Sequence, residues 1–347
     1  MVRTMSLPRA LLRTLRMIRH SPRLAEGLPP GEEVLLDAPD ERIGPALVAA
    51  ALGEYEPAAK LLATTREAAE WENRDRYVMR LAVFAYSRGE WLGSWLAAAP
   101  HDPDALTVKA ELAVRRAWES PARVERLREI GPLIGAAAAA APGDPVPWRI
   151  ALDHARGTHA GHTAFEGLWE QAVRRSPHHY GCHVAALRYL SAQWHGSHRE
   201  CFDFAEQAAA DALPGSLVQA LPVRAAFARI ENEGFGTAAK PVSALEAERI
   251  DRAADLAAAL SAGYPAADPW PAEVRNLTAY ILVRRGRWEA ALEQFRLIGP
   301  YATSFPWNRF SDDPLGQFLD ARDGVRIELA SRTPLRSRTG RSGPAGH

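Results

Sequence analysis

The sequence predicts an all-α protein, a right-handed solenoid of antiparallel helix pairs with irregular repeats. Two compositional features favour helices: alanine is abundant, with an unbroken run at 136–141, and the β-branched residues that favour strands are sparse. A third observation is repetition, because turn and helix-start motifs return along the chain at intervals typical of helical repeats. With 47% hydrophobic residues in a chain of 347, the apolar side chains suffice for a large core.

Residues 1–30 are predicted to form a basic amphipathic N-terminal segment. Apolar residues from Leu7 to Ile18 fall on one helical face, and arginines occupy the remaining positions. Arginines at every third or fourth position interrupt the apolar run of a secretory signal, so secretion is not expected. The simplest interpretation is a helix packed on the array, and the alternative is contact with an anionic membrane.

Residues 31–232 are predicted to form the helical array, marked by a recurring Gly-x-aromatic motif. Glycine lets the backbone reverse between two helices, and the aromatic ring fills the wedge between them. A small residue five positions after each glycine permits close helix approach. The four copies are Gly53 to Tyr55, Gly89 to Trp91, Gly167 to Trp169, and Gly286 to Trp288.

Prolines punctuate the array in two ways. A proline closes each unit, at Pro100, Pro142, Pro177 and Pro214. Asp-Pro or Ser-Pro pairs predict helix starts, because Asp or Ser caps the free N–H groups and proline suits the first helical position. These pairs begin at Ser21, Asp102, Ser120, Asp144, Ser176, Asp268 and Asp313. In addition, Ser197 and Glu200 form a capping-box pattern that predicts a helix from about His198 to Ala212.

Glycine-rich and proline-rich breaks between residues 233 and 271 separate the array from a C-terminal helical module at 238–330. This module is predicted to continue or cap the array. Residues 331–347 contain arginine, glycine, serine and proline with almost no apolar residue, and they are predicted to be a disordered tail.

The chain resembles the tetratricopeptide repeat, a family of paired-helix repeats. The resemblance rests on the Gly-x-aromatic turns, on the closing prolines, and on Trp148, which stands six residues after Pro142 where the family places its first aromatic residue. Two further stretches, Tyr180 to Phe204 and Ile298 to Arg322, look like landmarks of an uncharacterised bacterial (actinobacterial-type) family of such proteins. The resemblance implies a fold and carries no activity.

The charge balance of the chain and the absence of certain motifs limit the classes of function that the sequence supports. Basic and acidic residues balance at 42 each, so the sequence lacks the basic field of a nucleic-acid binder. Nucleophile-elbow and phosphate-loop motifs are missing from the sequence, which disfavours an enzyme. Two cysteines suggest a reducing compartment rather than a disulfide framework, and we expect a cytoplasmic protein without a cofactor.

A cluster of histidines and cysteines supplies an alternative hypothesis, a metal-binding protein or enzyme centred on residues 178–201. The spacing of His195, His198 and Cys201, with His183 on a neighbouring helix, is compatible with tetrahedral zinc. Spacing alone is weak evidence, and the capping box at Ser197 leaves His195 before the helix, so packing explains these residues more simply.

The leading prediction is a non-catalytic scaffold that binds a protein or peptide in a concave groove, which repeat arrays line with the first helix of each pair. Tryptophan, tyrosine and arginine dominate binding hot spots. Arg149, Arg188 and Asn276 are the residues most expected to be exposed there. The full set of candidate groove residues is Trp148, Arg149, Asp153, His154, Arg188, Trp194, Asn276 and Tyr280.

Overall fold

The computed structural model describes residues 23–231 and 242–332, and within them the chain is almost entirely helical. This confirms the predicted all-α class. The α-helices are α1 (Gly44–Ala51), α2 (Glu56–Glu67), α3 (Trp71–Ser87), α4 (Glu90–Ala98), α5 (Pro103–Trp118), α6 (Arg123–Ala140), α7 (Val146–Gly157), α8 (His162–Arg175), α9 (Tyr180–Tyr189), α10 (His198–Asp211), α11 (Leu221–Glu231), α12 (Ala244–Ala262), α13 (Ala272–Arg284), α14 (Trp288–Ile298), α15 (Ser304–Trp307) and α16 (Pro314–Arg332). Two 3-10 helices (Gly31–Glu33, Leu217–Ala220) and two strands, β1 (Leu35–Leu36) and β2 (Tyr301–Ala302), complete the described part. No helix within those residues combines the length and the apolarity needed to cross a membrane.

Most of the predicted helix starts are caps. The Asp102 carboxylate accepts hydrogen bonds from two backbone N–H groups in the first turn of α5, and Asp313 accepts one from Gly316 in α16. Ser197 caps α10 as predicted. Ser176 and Asp268 are not caps. Helix α9 begins four residues after Ser176, where the His179 ring caps it, and α13 begins four residues after Asp268, at Ala272. Ser21 lies outside the described residues.

Three of the four Gly-x-aromatic motifs stand between helices. Gly53 and Gly286 have positive φ angles of 89° and 67°, which glycine adopts without strain, and Gly89 immediately precedes α4. The prediction for Gly167 is wrong, because this residue lies inside α8. The preceding turn is made at His159, whose φ is 57°.

The structure divides into two compact units. The central unit spans Ala38–Tyr264, and the terminal unit combines the chain up to Asp37 with the chain from Pro265 onward. This division differs from the predicted segments 31–232 and 238–330. The reason is that α12 joins the central unit, where Arg249 pairs with Glu206 of α10 at 2.9 Å. The N-terminal segment to residue 22, residues 232–241 and the tail from residue 333 lie outside the described residues.

In the central unit, every second helix packs on the next, in the series α3, α5, α7, α9 and α11. The intervening helices α6, α8, α10 and α12 pack against members of this series. Large aromatic side chains fill the core at the start of the unit: Trp91 and Trp95 of α4 are buried, and Tyr55 stacks on Trp95 with ring centroids 5.9 Å apart. The series α5, α7 and α9 carries the residues of the candidate site.

The terminal unit joins two distant parts of the chain. Strands β1 and β2 form a parallel pair in which Leu35 lies opposite Tyr301. Just beyond it, the backbone N–H and the hydroxyl of Ser304 both donate hydrogen bonds to the Asp37 carboxylate. On α16, Arg322 donates a hydrogen bond to the Pro29 carbonyl at 2.9 Å. The core of this unit includes three large buried aromatic residues: Phe295, Trp307 and Phe318.

Candidate functional site

An apolar cavity of about 340 Å³ opens between α6, α7 and α8 of the central unit. A cavity of this size is in the range of small-molecule and peptide side-chain sites. Its walls are apolar except for a few groups on α7. The lining residues are Gly131, Ile134, Gly135, Ala138, Pro147, Trp148, Ala151, His154, Ala155, Thr158, Ala160 and Leu168.

Small residues on α6 create the cavity. Gly131, Gly135 and Ala138 follow one another at helical spacing, so they share the face of α6 that lines it. A Cβ atom built on Gly135 meets no other atom within 4 Å, and the residue is exposed at the cavity mouth. The cavity therefore exists because no side chain projects from α6 at these positions.

His154 lines the cavity with an uncharged side chain. Its Nε2 lies 2.7 Å from the Leu127 carbonyl, an acceptor, so Nε2 carries the proton and Nδ1 is left as an acceptor. Burial lowers the pKa of His154. At neutral pH the cavity therefore contains a neutral imidazole, which suits an apolar occupant.

Trp148 forms one end of the cavity. The side chain is half-buried, and its indole N–H has no hydrogen-bond partner within the described protein. The Arg175 guanidinium lies over the ring, 4.5 Å from its centroid, and donates to the Pro142 carbonyl at 2.6 Å. Trp148 thus offers an occupant an apolar face, while its indole N–H is buried.

The expectation that Arg149 is exposed is wrong. Its side chain is 5% exposed and lies between Asp75, at 2.7 Å, and Glu111, at 2.6 Å. Burial disfavours its charge, but the surrounding carboxylates outweigh that effect and raise its pKa well above the usual value. Arg149 is thus a buried cross-link between helices.

Three other predicted groove residues share one network. Asp153 of α7 lies 3.9 Å from Arg188 of α9 and 3.1 Å from Arg156 one turn further on. Burial opposes the ionisation of Asp153, but Arg188, Arg156 and Arg149 outweigh it and lower its pKa. The Arg156 guanidinium in turn lies 4.9 Å from the ring centroid of Trp194, which stands in the segment after α9.

Asn276 and Tyr280 belong to the terminal unit, and both are buried there. The expectation that Asn276 is an exposed groove residue is wrong, because its side chain accepts a hydrogen bond from the Trp307 indole at 2.9 Å. Tyr280 stacks on Phe310 with ring centroids 5.0 Å apart. Both side chains are structural parts of the core.

The structure does not bring the alternative metal ligands together. His183 packs on Trp169, His195 stacks on Tyr189 with centroids 4.5 Å apart, and the Cys201 thiol donates to the Leu190 carbonyl at 3.2 Å. Burial raises the pKa of Cys201 to about 12, which opposes the thiolate that zinc requires. His198 is the first residue of α10, directly after the Ser197 cap. Across residues 23–231 and 242–332, no group of three or more His, Cys, Asp or Glu side chains is placed to hold a metal ion.

The α6 wall and an aromatic–arginine cluster beside it were not predicted from the sequence. Trp118 and Trp194 meet edge to face with centroids 5.4 Å apart, and Arg123 and Arg156 lie over both rings. The small residues Gly135 to Ala141 were a visible signal for a cavity wall, although such a run also predicts helix alone. Nothing in the spacing of Trp118, Arg123 and Trp194 indicates that they meet.

A scan against protein-family models finds no match to this sequence, and searches of curated proteins and of solved structures find none either. The resemblance to tetratricopeptide repeats therefore stays a prediction.

Proposed function

We propose that this protein is a non-catalytic scaffold that binds a peptide segment of a partner protein, one apolar side chain of which enters the cavity between α6, α7 and α8. The observation that carries the proposal is the cavity itself: it is open, about 340 Å³ in volume, and apolar. Sites with these properties recognise ligands through apolar burial and a small number of placed polar groups.

One polar group gives the cavity a means of orienting an occupant. The Nδ1 atom of the neutral His154 is an acceptor. A peptide backbone carries a complementary N–H donor in every residue other than proline. This feature favours a peptide over a purely hydrocarbon ligand.

We also propose that the central unit is an irregular right-handed solenoid of antiparallel helix pairs, similar to tetratricopeptide repeats. The packing of every second helix in the series α3, α5, α7, α9 and α11 supports this arrangement. In such an array the first helices of the pairs line a concave surface that binds extended peptides. Trp148, Asp153, His154 and Arg188 all lie on helices of that series.

The proposal is tested by filling the cavity from its α6 wall. In Gly135→Leu the new side chain has room, and leucine is the better helix former, so folding is retained. Gly167→Leu is the matched control, because Gly167 is exposed in the middle of α8, its Cβ position is equally free, and it does not line the cavity.

A phage-displayed library of random dodecapeptides is selected on the wild type, and fluorescence anisotropy then measures the affinity of the selected peptides for all three proteins. We expect the peptides to share a large apolar residue, to bind Gly167→Leu as well as the wild type, and to bind Gly135→Leu at least tenfold more weakly. Peptides that bind Gly135→Leu within twofold of the wild type would refute the cavity as the binding site.

A further inference from the structure

Two arginines of the central unit lie over one pair of indole rings, and a third is linked to them through a shared carboxylate. The Arg123 and Arg156 guanidiniums lie 5.0 and 4.2 Å from the Trp118 ring centroid, and both also lie over Trp194. The Arg188 guanidinium lies near the same Asp153 oxygen that Arg156 contacts. We refer to Arg123, Arg156 and Arg188 as the arginine cluster.

The cluster holds more positive than negative charge. Asp153 is the one carboxylate within 4 Å of these guanidiniums in the described part of the chain, and it pairs with Arg156 and Arg188. Arg149, which Asp153 also approaches, is already neutralised by Asp75 and Glu111. Arg123 has no carboxylate within this distance, and the three arginines with Asp153 carry a net charge of +2.

The guanidinium N–H groups of the cluster also have few hydrogen-bond acceptors. None of the N–H groups of Arg123 donates a hydrogen bond within the described protein. Arg188 keeps 49% of its side-chain surface exposed and reaches Asp153 only at 3.9 Å. Burial and the neighbouring charge of Arg188 lower the pKa of Arg156, and a nearby anion would relieve this repulsion.

The indole rings hold the cluster in a form suited to binding. A guanidinium stacked on an aromatic face keeps its in-plane N–H edge available for a carboxylate, and the stacking fixes its orientation beforehand. The like charges of these guanidiniums repel one another, and a bound anion would reduce that repulsion. Their arrangement here is that of a preorganised anion site.

We infer that the arginine cluster binds a carboxylate of an acidic peptide, next to the residue that enters the cavity. This inference rests on the proposed function, since it specifies the peptide as one carrying Asp or Glu beside its apolar residue. Arg123 opens α6 two turns before the cavity residue Gly131, about 12 Å away along the helix axis. A few residues of extended peptide span that distance.

The cluster favours a carboxylate over a phosphoryl group. The Asp153 carboxylate already sits between Arg156 and Arg188, so a group of this charge and size fits these guanidiniums.

The test repeats the dodecapeptide selection on the wild type and on the double variant Arg123→Gln/Arg188→Gln. Arg174→Gln is the control, because Arg174 is an exposed arginine of α8 that pairs with Glu170 outside the cluster. We expect Asp and Glu to be enriched in peptides selected on the wild type and on Arg174→Gln, and not on the double variant. The apolar residue should be enriched on all three proteins.

Fluorescence anisotropy with the selected peptide then measures how much its acidic residue contributes to the affinity, separately from its apolar residue. We expect replacement of its acidic residue by Gln to weaken binding to the wild type at least tenfold and to leave binding to the double variant within twofold. Arg188→Gln alone, which alters only a half-exposed side chain, gives a second variant whose thermal unfolding should match that of the wild type.

The possible failures are distinguishable. If acidic residues are not enriched on the wild type, or are enriched equally on the double variant, the inference is overturned while the cavity proposal stands. If the acidic peptide binds Gly135→Leu as tightly as the wild type but loses affinity for the double variant, the cavity proposal fails and the anion site stands. Preference for a phosphoserine peptide over the Glu peptide overturns the assignment to a carboxylate.

Discussion

The Arg74 guanidinium contacts the Asp144 carboxylate at 2.6 Å, although 70 residues separate them and neither side chain is exposed. The same guanidinium reaches Asp104 at 2.7 Å and the Leu62 carbonyl at 2.9 Å. Arg74 therefore ties α3 to α5 and to the start of α7 through charges that have no contact with solvent. Removing one partner of such a buried pair leaves the other charge uncompensated.

We predict that Arg74→Met destabilises the protein by about 3–5 kcal/mol, because Asp104 and Asp144 then stay buried without their main cation. This is a large share of the free energy of unfolding of an ordinary protein. Urea denaturation followed by circular dichroism measures the loss. The control is Arg42→Met, whose pair with Glu70 is exposed on both sides, and it should cost less than about 1 kcal/mol. Equal losses in the two variants would contradict this interpretation.

A second prediction concerns close packing at the end of α7. A Cβ on Gly157 would lie 2.3 Å from Leu127 Cδ1 and 2.8 Å from Trp118 Cζ2, and Leu127 is fully buried. Gly157→Ala should therefore destabilise the protein by about 1–3 kcal/mol, despite alanine being the better helix former. In Gly167→Ala the Cβ is free, and we expect a gain of about 0.5–1 kcal/mol. Thermal unfolding of both variants checks the opposite signs.

The sequence predicted local features of the fold well because their causes are local. Asp102 caps α5 and Gly53 turns the chain through interactions within a few residues, and helix capping and turn rules describe such interactions fully. The same holds for Trp148 and His154, each of which stands three residues from the cavity residue Ala151 on one face of α7. Helical spacing alone places them together.

The site residues that sequence reasoning misplaced depend on distant partners. Arg149 appeared exposed because its neighbours in sequence do not show that Asp75, 74 residues away, and Glu111, 38 residues away, enclose it. Asn276 was misplaced for the same reason, since Trp307 binds it from another helix. The exposure of a polar residue on a helix is thus set by tertiary contacts that periodicity does not contain.

The burial of Arg149 affects which groove residues are suitable for mutagenesis. Substituting Arg149 and Arg188 together would mix a stability defect with a binding defect, because Arg149 holds two buried carboxylates. Arg188 is half-exposed and is the residue of the two that can be changed cleanly.

A third prediction concerns the terminal unit. Asn276 accepts from the Trp307 indole N–H and donates to the Tyr301 carbonyl at 3.1 Å, so Asn276→Leu leaves two buried polar groups unpaired. We expect a loss on the order of 3 kcal/mol. Thr278→Val is the control, because the Thr278 hydroxyl contacts only the Val274 carbonyl of its own helix, and it should cost less than about 1.5 kcal/mol. Hydrogen exchange by mass spectrometry should show faster exchange in residues 272–310 for Asn276→Leu alone; unchanged exchange there would contradict the assigned role.

The last prediction is a pH dependence of stability that arises at the start of α12. A hydrogen bond from Arg229 is the main cause that lowers the pKa of Glu246 from 4.5 to about 2, and bonds from Ser243 add to it. Because the pKa is lower in the folded state, the carboxylate stabilises the fold fully above pH 4.5. That contribution is lost as the pH falls toward 2.

Glu246→Gln keeps the capping box but not the charge. The variant should therefore be less stable than the wild type at pH 7, and the difference in stability should shrink between pH 5 and pH 2. The urea midpoint measured across this range gives the difference. In Glu248→Gln, where the lost carboxylate is exposed and lies 3.8 Å from Arg252, the midpoint should follow that of the wild type throughout. A stability difference for Glu246→Gln that stays constant from pH 7 to pH 2 would show that the charge of Glu246 is not its cause.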